Sequence, residues 1–461
     1  MSHFIKIHFL AFILLFLFAG LNVVVDPYGI FPYMKRLGLD WVKPEMVHSV
    51  KLHKAWRLDQ VNAQTIVMGT SRSAIGIDPD YPGWPADNKT IYNAALTGAG
   101  MYVTRRFLEH ANKLNSLEQL VLGLDFFAFN VHRQRAPDYR GDFLIVNDDG
   151  TDNRHFDFKI LGAALVSTEA YEASMKTVKS TSRHALQISD NGMIVGPVWK
   201  KNIQKSFNNM ESLYFKHVYL AGQKRQYAFI NQETGKSSLE EFRRIVRICQ
   251  ENNIELKLFI SPVHARHLEV IRALGIWPLF EQWKIELLRI LEEEQYKLPL
   301  WDFSGYNSIT TDDIKQDKDY LYRDSTHYGP QVGNMILSRV FAVQDENLSI
   351  DFGVQLTKEN IAEHLHMTLQ QQKKYALDFP EDVAEIESLA VKNNFAPDQL
   401  VLKLDGAHSK ARRFRPENLN KPISKALQDY ERGMLMSELI DKHGISEKVF
   451  WEWKKKFDRS M

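Results

Sequence analysis

The chain has 461 residues and a formal net charge of +1. This length favours two or three structural units. The near-zero net charge excludes a strong electrostatic attraction of the chain as a whole to nucleic acid or acidic lipid. Hydrophobic residues make up 44% and charged residues 25%, which is a globular composition that leaves little room for extended disorder. The single cysteine, Cys249, excludes an internal disulfide.

The first feature along the chain is an apolar stretch. Residues 4–25 contain Lys6 as their only Lys, Arg, Asp or Glu, and about 20 apolar residues are needed to cross a bilayer. The stretch ends GLNVVV, without a small-residue cleavage site. We therefore predict an uncleaved transmembrane anchor over residues 1–26, with a cleaved signal or a buried helix as alternatives. Basic residues at 35, 36 and 43 favour, by charge counting alone, a domain on the cytoplasmic side.

Short apolar runs then alternate with amphipathic segments. Helical periodicity covers residues 101–114, and a capping box from Ser238 to Glu241 opens a helix through Asn252. Strands that alternate with helices predict a parallel sheet with helices on both faces, a three-layer α/β fold. The predicted strands are 64–69, 90–96, 118–127, 254–260 and, as the last, 298–303.

The same patterns divide the chain. An α/β domain is predicted over residues 27–350, with an aromatic-rich insertion over about 130–232 that is poor in clear strands. A helical extension follows at 351–394, with no further strands expected from Thr357 onward, and then a linker at 395–420 with Pro397 and Pro416. Residues 421–461 are predicted to form a small all-α unit.

The strongest site signal is the segment 66–73, IVMGTSRS. An apolar strand runs into a glycine, a hydroxyl residue and a helix start, which places Ser71 at the carboxyl end of a strand, where open α/β sheets bind ligands. The second signal is the segment 321–330, LYRDSTHYGP. An Asp three residues before a His lets the Asp324 carboxylate orient the His327 ring.

Together these segments resemble the SGNH/GDSL hydrolase family, whose early block carries the nucleophilic serine and whose late block reads D-x-x-H. The resemblance implies a catalytic triad of Ser71, Asp324 and His327. The segment 92–98, YNAALTG, resembles the family's second block, which implies that Gly98 donates a backbone N–H to the oxyanion. The segment 121–125, VLGLD, stands in the place of the third block.

Two positions depart from the family. Thr70 replaces its usual Asp, and Asp125 stands where the family places an oxyanion-hole Asn. An ionised carboxylate cannot donate a hydrogen bond, so Asp125 is not expected to be an oxyanion donor and must be neutralised, turned away or paired. Its candidate partners are Arg72, His132 and Arg133.

Three further residues are candidates for contact with substrate: Arg72, Asp125 and His264. His264 and His267 follow a strand and are three residues apart, but no third ligand is evident. We therefore expect a loop that lines a pocket there, and neither a metal nor a cofactor.

The departures and the anchor resemble the envelope branch of the superfamily, which includes alginate O-acetylation proteins and the D-alanyl transfer protein of teichoic acids. That resemblance implies a single-pass protein of the inner membrane with its domain outside the cytoplasm. The implied partners are a cell-envelope polysaccharide and a membrane-bound O-acyltransferase. A non-catalytic polymer-binding protein is the alternative.

The C-terminal segment 435–457 has the pattern of two helices joined at Gly444. Ser446 suits the cap of the second helix, which ends in a run of lysines. The segment resembles the helix-turn-helix of small transposase proteins. DNA binding is not expected from an envelope protein, and a membrane-tethered DNA-binding protein is the third hypothesis.

Overall fold

The computed structural model describes residues 3–393 except for 32–36, 38–40, 86–88, 137, 181–184, 197–201, 220–226, 316–319 and 347. The predicted linker at 395–420 and helix-turn-helix unit at 421–461 lie outside the described residues. The described residues within 1–268 and 286–357 form one compact unit, and those within 269–285 and 358–393 form a second.

A six-stranded sheet organises the first unit. Its strands and those of a separate hairpin are, in chain order, β1 (Thr65–Met68), β2 (Ile91–Asn93), β3 (Gln119–Leu124), β4 (Gln187–Ile188), β5 (Ile194–Val195), β6 (Glu255–Ile260), β7 (Leu300–Asp302) and β8 (Val354–Leu356). The sheet order is β2-β1-β3-β6-β7-β8. The first five are parallel and β8 runs antiparallel to β7. The predicted α/β class with a mostly parallel sheet is confirmed.

The burial of the strands explains which of them the sequence predicts. Every residue of β1 and β3 is buried, and both are continuous apolar runs, as expected for interior parallel strands. β8 has the sequence VQL and only Leu356 is buried. The expectation that residues 298–303 form the last strand is therefore wrong, because an edge strand this short and exposed gives no apolar signal.

The α-helices of the described residues are α1 (His3–Val25), α2 (Val50–Val61), α3 (Ser71–Gly76), α4 (Met101–Leu114), α5 (Phe156–Leu165), α6 (Thr168–Lys179), α7 (Ile203–Leu213), α8 (Ser238–Glu251), α9 (Ala265–Ala273), α10 (Trp277–Glu293), α11 (Pro330–Val340), α12 (Ile361–Asp378) and α13 (Pro380–Lys392). The predicted helix at 101–114 is confirmed by α4. The predicted capping box of α8 is wrong by one residue. Ser237 is the N-cap and its side chain accepts from the Glu240 N–H, while the Ser238 hydroxyl donates to the Phe129 carbonyl.

Helix α1 is long and apolar enough to cross a membrane, since 23 residues span about 35 Å. Its last turns are also part of the folded unit. The Asn22 amide donates to the Leu165 carbonyl at 2.9 Å and its oxygen accepts from the Ser174 hydroxyl at 2.7 Å. The ring of Phe18 stacks on Tyr171 with centroids 5.2 Å apart. The helix is thus tied by side-chain contacts to α5 and α6.

The region predicted as an insertion contains helices α5 to α7, the β4–β5 hairpin and short 3-10 segments. It also contains a π-helix, Tyr214–Val218, directly after α7. Such π-helical turns are uncommon and occur frequently near functional sites. This one carries Tyr214 and leads to Tyr219, both of which are buried.

The second unit has helices α12 and α13 among its described residues. The Tyr375 hydroxyl donates to the Asp382 carboxylate at 3.0 Å, and its ring stacks on Phe379. Pro380 is the first residue of α13, where its missing N–H leaves no helix hydrogen bond unmade.

Candidate active site

The segment after β1 presents Ser71 at the start of α3. Gly69 has a φ of +140°, and a Cβ at this position would lie 2.5 Å from the Ser73 hydroxyl, so the turn requires glycine. Thr70 is the N-cap of α3, and its side-chain oxygen accepts from the Arg72 N–H at 3.3 Å. Ser71 is the first helical residue and is half-buried.

The segment 322–328 is a short loop closed by a bridge between Tyr322 and Tyr328. Within it the Asp324 carboxylate is held by three donors on one oxygen: the backbone N–H groups of Thr326 and His327 and the Thr326 hydroxyl, at 2.8, 3.1 and 2.9 Å. Burial alone would raise the pKa of Asp324, but the charge and hydrogen bond of His327, together with the Thr326 donors, lower it overall. The carboxylate is therefore kept ionised.

The two segments meet at a connected set of hydrogen bonds. His327 Nε2 lies 2.8 Å from Ser71 Oγ, and His327 Nδ1 lies 2.7 Å from Asp324 Oδ2. The His327 and Asp324 side chains are 14% and 13% exposed, so the array is protected but reachable from solvent. The expected geometry, with Ser71 on one ring nitrogen and Asp324 on the other, is confirmed. An arrangement of this kind can activate a hydroxyl for nucleophilic attack.

Close packing of two helices holds Ser71 and His327 together. Helix α3 begins at Ser71, and α11 begins at Pro330, three residues after His327. A Cβ on Gly333 would lie 1.7 Å from the Gly76 carbonyl oxygen, so backbone meets backbone at this crossing. The sequence alone does not identify this contact, because an isolated glycine in a helix does not show what it packs against.

Asp125 lies directly after β3 and is paired. Its Oδ1 accepts from Arg72 Nη1 at 2.8 Å and its Oδ2 accepts from the Thr70 hydroxyl. The Arg72 and Asp125 side chains are 3% and 0% exposed. Of the candidate partners, Arg72 is thus the one observed, while Arg133 donates to the backbone carbonyl of His217. The two departures from the family motif, at positions 70 and 125, contact each other.

Arg72 has a second partner from the π-helix. Its Nη2 donates to the Tyr214 hydroxyl at 3.1 Å, and its guanidinium lies over the ring of Phe127, 5.2 Å from the centroid. Burial alone would lower the pKa of Arg72, but Tyr214 and Asp125 raise it overall. Both side chains are buried and bonded to each other, and the expectation that Arg72 and Asp125 contact substrate stays a prediction. The contact of Tyr214 could not be predicted from the sequence, because Tyr214 lies 142 residues from Arg72 and no local motif connects the two.

His264 is also a structural residue. It is buried, Nε2 lies 2.7 Å from the Asp312 carbonyl, and Nδ1 accepts from the Arg266 N–H. Its backbone N–H donates at 3.1 Å to the carbonyl of Ser325, which ties the segment after β6 to the loop that carries Asp324 and His327. Both ring nitrogens of His264 thus have partners within the protein, and the expectation that His264 lines a substrate pocket stays a prediction.

His267 lies deeper, behind the triad. Its Nε2 is 2.9 Å from the Tyr219 hydroxyl, and burial, reinforced by the nearby Arg72 and His327, lowers its pKa well below the ordinary value. It is therefore neutral at physiological pH. Within the described parts of the chain, no group of three or more His, Cys, Asp or Glu side chains is arranged to hold a metal ion.

Gly98 lies in the turn after β2. The Ala94 N–H donates to the Val67 carbonyl and the Leu96 N–H to the Gly69 carbonyl, at 2.8 and 3.0 Å. These bonds hold the segment 94–96 alongside the end of β1 and the turn that leads to Ser71. Gly98 has a φ of +63°, and a Cβ there would meet no atom within 4 Å. The turn is thus open on that side.

Comparison with known proteins adds no identification. No family model matches the sequence, and no curated protein shows significant similarity to it. The fold class and the Ser71–His327–Asp324 geometry are therefore the observations on which a function is proposed.

Proposed function

We propose that this protein is a membrane-anchored ester hydrolase or O-acyltransferase of the SGNH type that acts on a cell-envelope polysaccharide. The observation that carries the proposal is the set of hydrogen bonds from Asp324 through His327 to Ser71, at 2.7 and 2.8 Å. The position of Ser71, after a parallel strand and at a helix start, also supports it. The proposed fold is the three-layer arrangement of that family.

The proposed reaction follows from the geometry. His327 Nε2 takes the proton of Ser71 Oγ as that oxygen attacks the carbonyl carbon of an ester. The tetrahedral intermediate collapses when the protonated ring gives its proton to the leaving alkoxide, which departs as an alcohol. Asp324 stabilises the imidazolium in between. The acyl group on Ser71 then passes to water in hydrolysis, or to a sugar hydroxyl in transfer.

The oxyanion would be stabilised by backbone donors. The N–H groups of Ser71 and Gly98 fill this role in the proposal, because Asp125 is acceptor-only and already bonded to Arg72 and Thr70. Losing one oxyanion donor typically costs about 10²–10³ in rate. Slow turnover of generic esters is the consequence, and a dedicated acyl donor or acceptor is the proposed substrate.

The length and apolar composition of α1 support an activity at a membrane. The side-chain contacts of Asn22 with Leu165 and Ser174 support an uncleaved helix, since cleavage near residue 22 would remove them. We place the domain outside the cytoplasm of a single-pass inner-membrane protein, beside a membrane-bound O-acyltransferase. A reporter fused near Ile350 tests this orientation. It should be active only outside the cytoplasm, and cytoplasmic activity would instead favour the DNA-binding hypothesis for the tail.

Turnover of a chromogenic acetyl ester by the full chain in detergent tests the activity. We expect Ser71→Ala to reduce turnover by at least about 10³. Ser73→Ala is the matched control, since Ser73 is buried in the same short helix, and it should keep wild-type turnover. Equal turnover by the wild type and the Ser71 variant, both folded, would reject the enzyme and favour a polymer-binding protein.

A further inference from the structure

We infer that Lys51 is a positioning residue for the oxyanion site, because its ammonium polarises the peptide group whose N–H belongs to Gly98. The inference rests on the proposed function. Lys51 lies in α2, outside every motif of the sequence. Its Nζ donates to the Thr97 carbonyl at 3.1 Å and to both carboxylate oxygens of Asp138 at 2.7 and 2.8 Å. The Lys51 side chain is 3% exposed.

The carbonyl of Thr97 and the N–H of Gly98 are the two ends of one peptide group. A hydrogen bond at the carbonyl draws electron density from the nitrogen, which makes the N–H a stronger donor. A charged donor has a larger effect than a neutral one. The Gly98 N–H donates to no acceptor among the described residues. A substrate oxygen can therefore take the place that an acceptor in the protein would otherwise fill.

A second lysine of the same helix shows what distinguishes Lys51. Lys54 is buried and its Nζ donates to the Ala95 carbonyl at 2.6 Å. The N–H of that peptide group belongs to Leu96 and is already bonded to the Gly69 carbonyl. Lys54 thus polarises a hydrogen bond inside the protein, whereas Lys51 polarises an N–H that is available. Lys54 is therefore a control for the loss of a buried lysine from the same helix.

The need for such polarisation follows from Asp125. In the resembled family an Asn side chain supplies one oxyanion donor, and this chain has a carboxylate bonded to Arg72 in its place. The backbone donors then carry more of the negative charge that develops on the substrate oxygen. Strengthening the Gly98 N–H offsets part of the missing contribution.

The test is steady-state turnover of a chromogenic acetyl ester by the full chain in detergent, with the variants Lys51→Met, Lys51→Arg and Lys54→Met. Weakening a donor costs less than removing one, so we expect Lys51→Met to lower kcat about tenfold with KM unchanged. Lys51→Arg keeps a charged donor and should recover most of kcat. The affinity for phenylboronic acid, which forms a tetrahedral anion on serine, should fall with kcat. Folded Lys54→Met should keep the wild-type kcat.

The double variant Lys51→Met/Asp138→Asn separates two causes of the loss. If the unpaired Asp138 carboxylate were responsible, its neutralisation would restore kcat; if polarisation is lost, kcat stays low. The inference is overturned by restoration in the double variant, by unchanged kcat in Lys51→Met, or by equal losses in the Lys51 and Lys54 variants. If the folded wild type shows no Ser71-dependent turnover, both this inference and the proposed function are overturned. The three outcomes above overturn this inference alone, so the two kinds of failure can be distinguished.

Discussion

Replacing Asp125 by Asn would remove the negative charge from a buried ion pair. The Arg72 and Asp125 side chains are 3% and 0% exposed and lie 2.8 Å apart. The variant keeps the shape and an acceptor oxygen, but it leaves the guanidinium without a counter-charge where water cannot solvate it. Removing one partner of a buried pair costs about 3–5 kcal/mol. Because the amide oxygen can still accept from Arg72, we expect the lower end, about 3 kcal/mol.

Thermal unfolding of the full chain, followed by tryptophan fluorescence in detergent, measures this cost. A loss of about 3 kcal/mol corresponds to a fall in Tm of roughly 6 °C at about 2 °C per kcal/mol. Asp142→Asn is the control, because Asp142 pairs with Arg140 on the surface, with side chains 36% and 58% exposed. Such exposed pairs contribute at most about 1 kcal/mol.

A double-mutant cycle shows whether the cost arises from the unpaired charge. Arg72→Met/Asp125→Asn has no buried charge left over, so it should be less destabilised than the sum of the two single variants. Additive losses would refute the coupling. A Tm for Asp125→Asn equal to that of the wild type would refute the buried ion pair itself.

Three further predictions concern packing, charge and reactivity. Gly333→Ala brings a Cβ against the Gly76 carbonyl and should lower the free energy of unfolding, measured in urea, by about 1–3 kcal/mol. Gly162→Ala is the control, because a Cβ there meets open space, and it should not destabilise the protein. Equal effects of the two substitutions would contradict this packing. The lowered pKa of Asp324 means that its carboxylate adds stability that is fully present above its ordinary pKa of 3.8 and is lost as the pH falls through the lowered pKa. The stability difference between wild type and Asp324→Asn should therefore shrink below pH 3.8, and a constant difference would argue against the pairing. Burial raises the pKa of Cys249 to about 12, so a thiol reagent at about pH 8 should modify it only after unfolding, and rapid labelling of the folded chain would contradict its burial.

The hydrogen-bonded arrangement of Ser71, His327 and Asp324 could be predicted from the sequence because each of its two segments has a local pattern. The spacing of Asp324 and His327 places the carboxylate beside the ring within a single loop, and the apolar run before Ser71 identifies the strand that presents it. The alternation of apolar runs likewise predicts the parallel strands, since buried strands must be apolar on both faces. Only the contact between the segment that carries Ser71 and the loop that carries His327 could not be predicted without the fold.

The surroundings of the triad could not be predicted in the same way. Tyr214 reaches Arg72 from a distant π-helix, and the partner of Lys51 on the main chain is a carbonyl that leaves no side-chain signature. The sequence does not show whether a histidine after a strand faces a pocket or is buried. His264 is buried, and both of its ring nitrogens have hydrogen-bond partners within the protein. Such contacts depend on tertiary packing, which the periodicity of apolar residues in the sequence does not predict.

Covalent labelling of Ser71 by a fluorophosphonate tests the central claim most directly. The Ser71 oxygen attacks phosphorus, fluoride leaves, and the adduct is located by mass spectrometry of the peptide that contains residues 66–73. We predict one adduct per chain, on Ser71, and labelling at least about 10²-fold slower in His327→Ala, since the ring removes the proton. A folded wild-type chain that is not labelled, or that is labelled as fast without His327 as with it, would contradict the account.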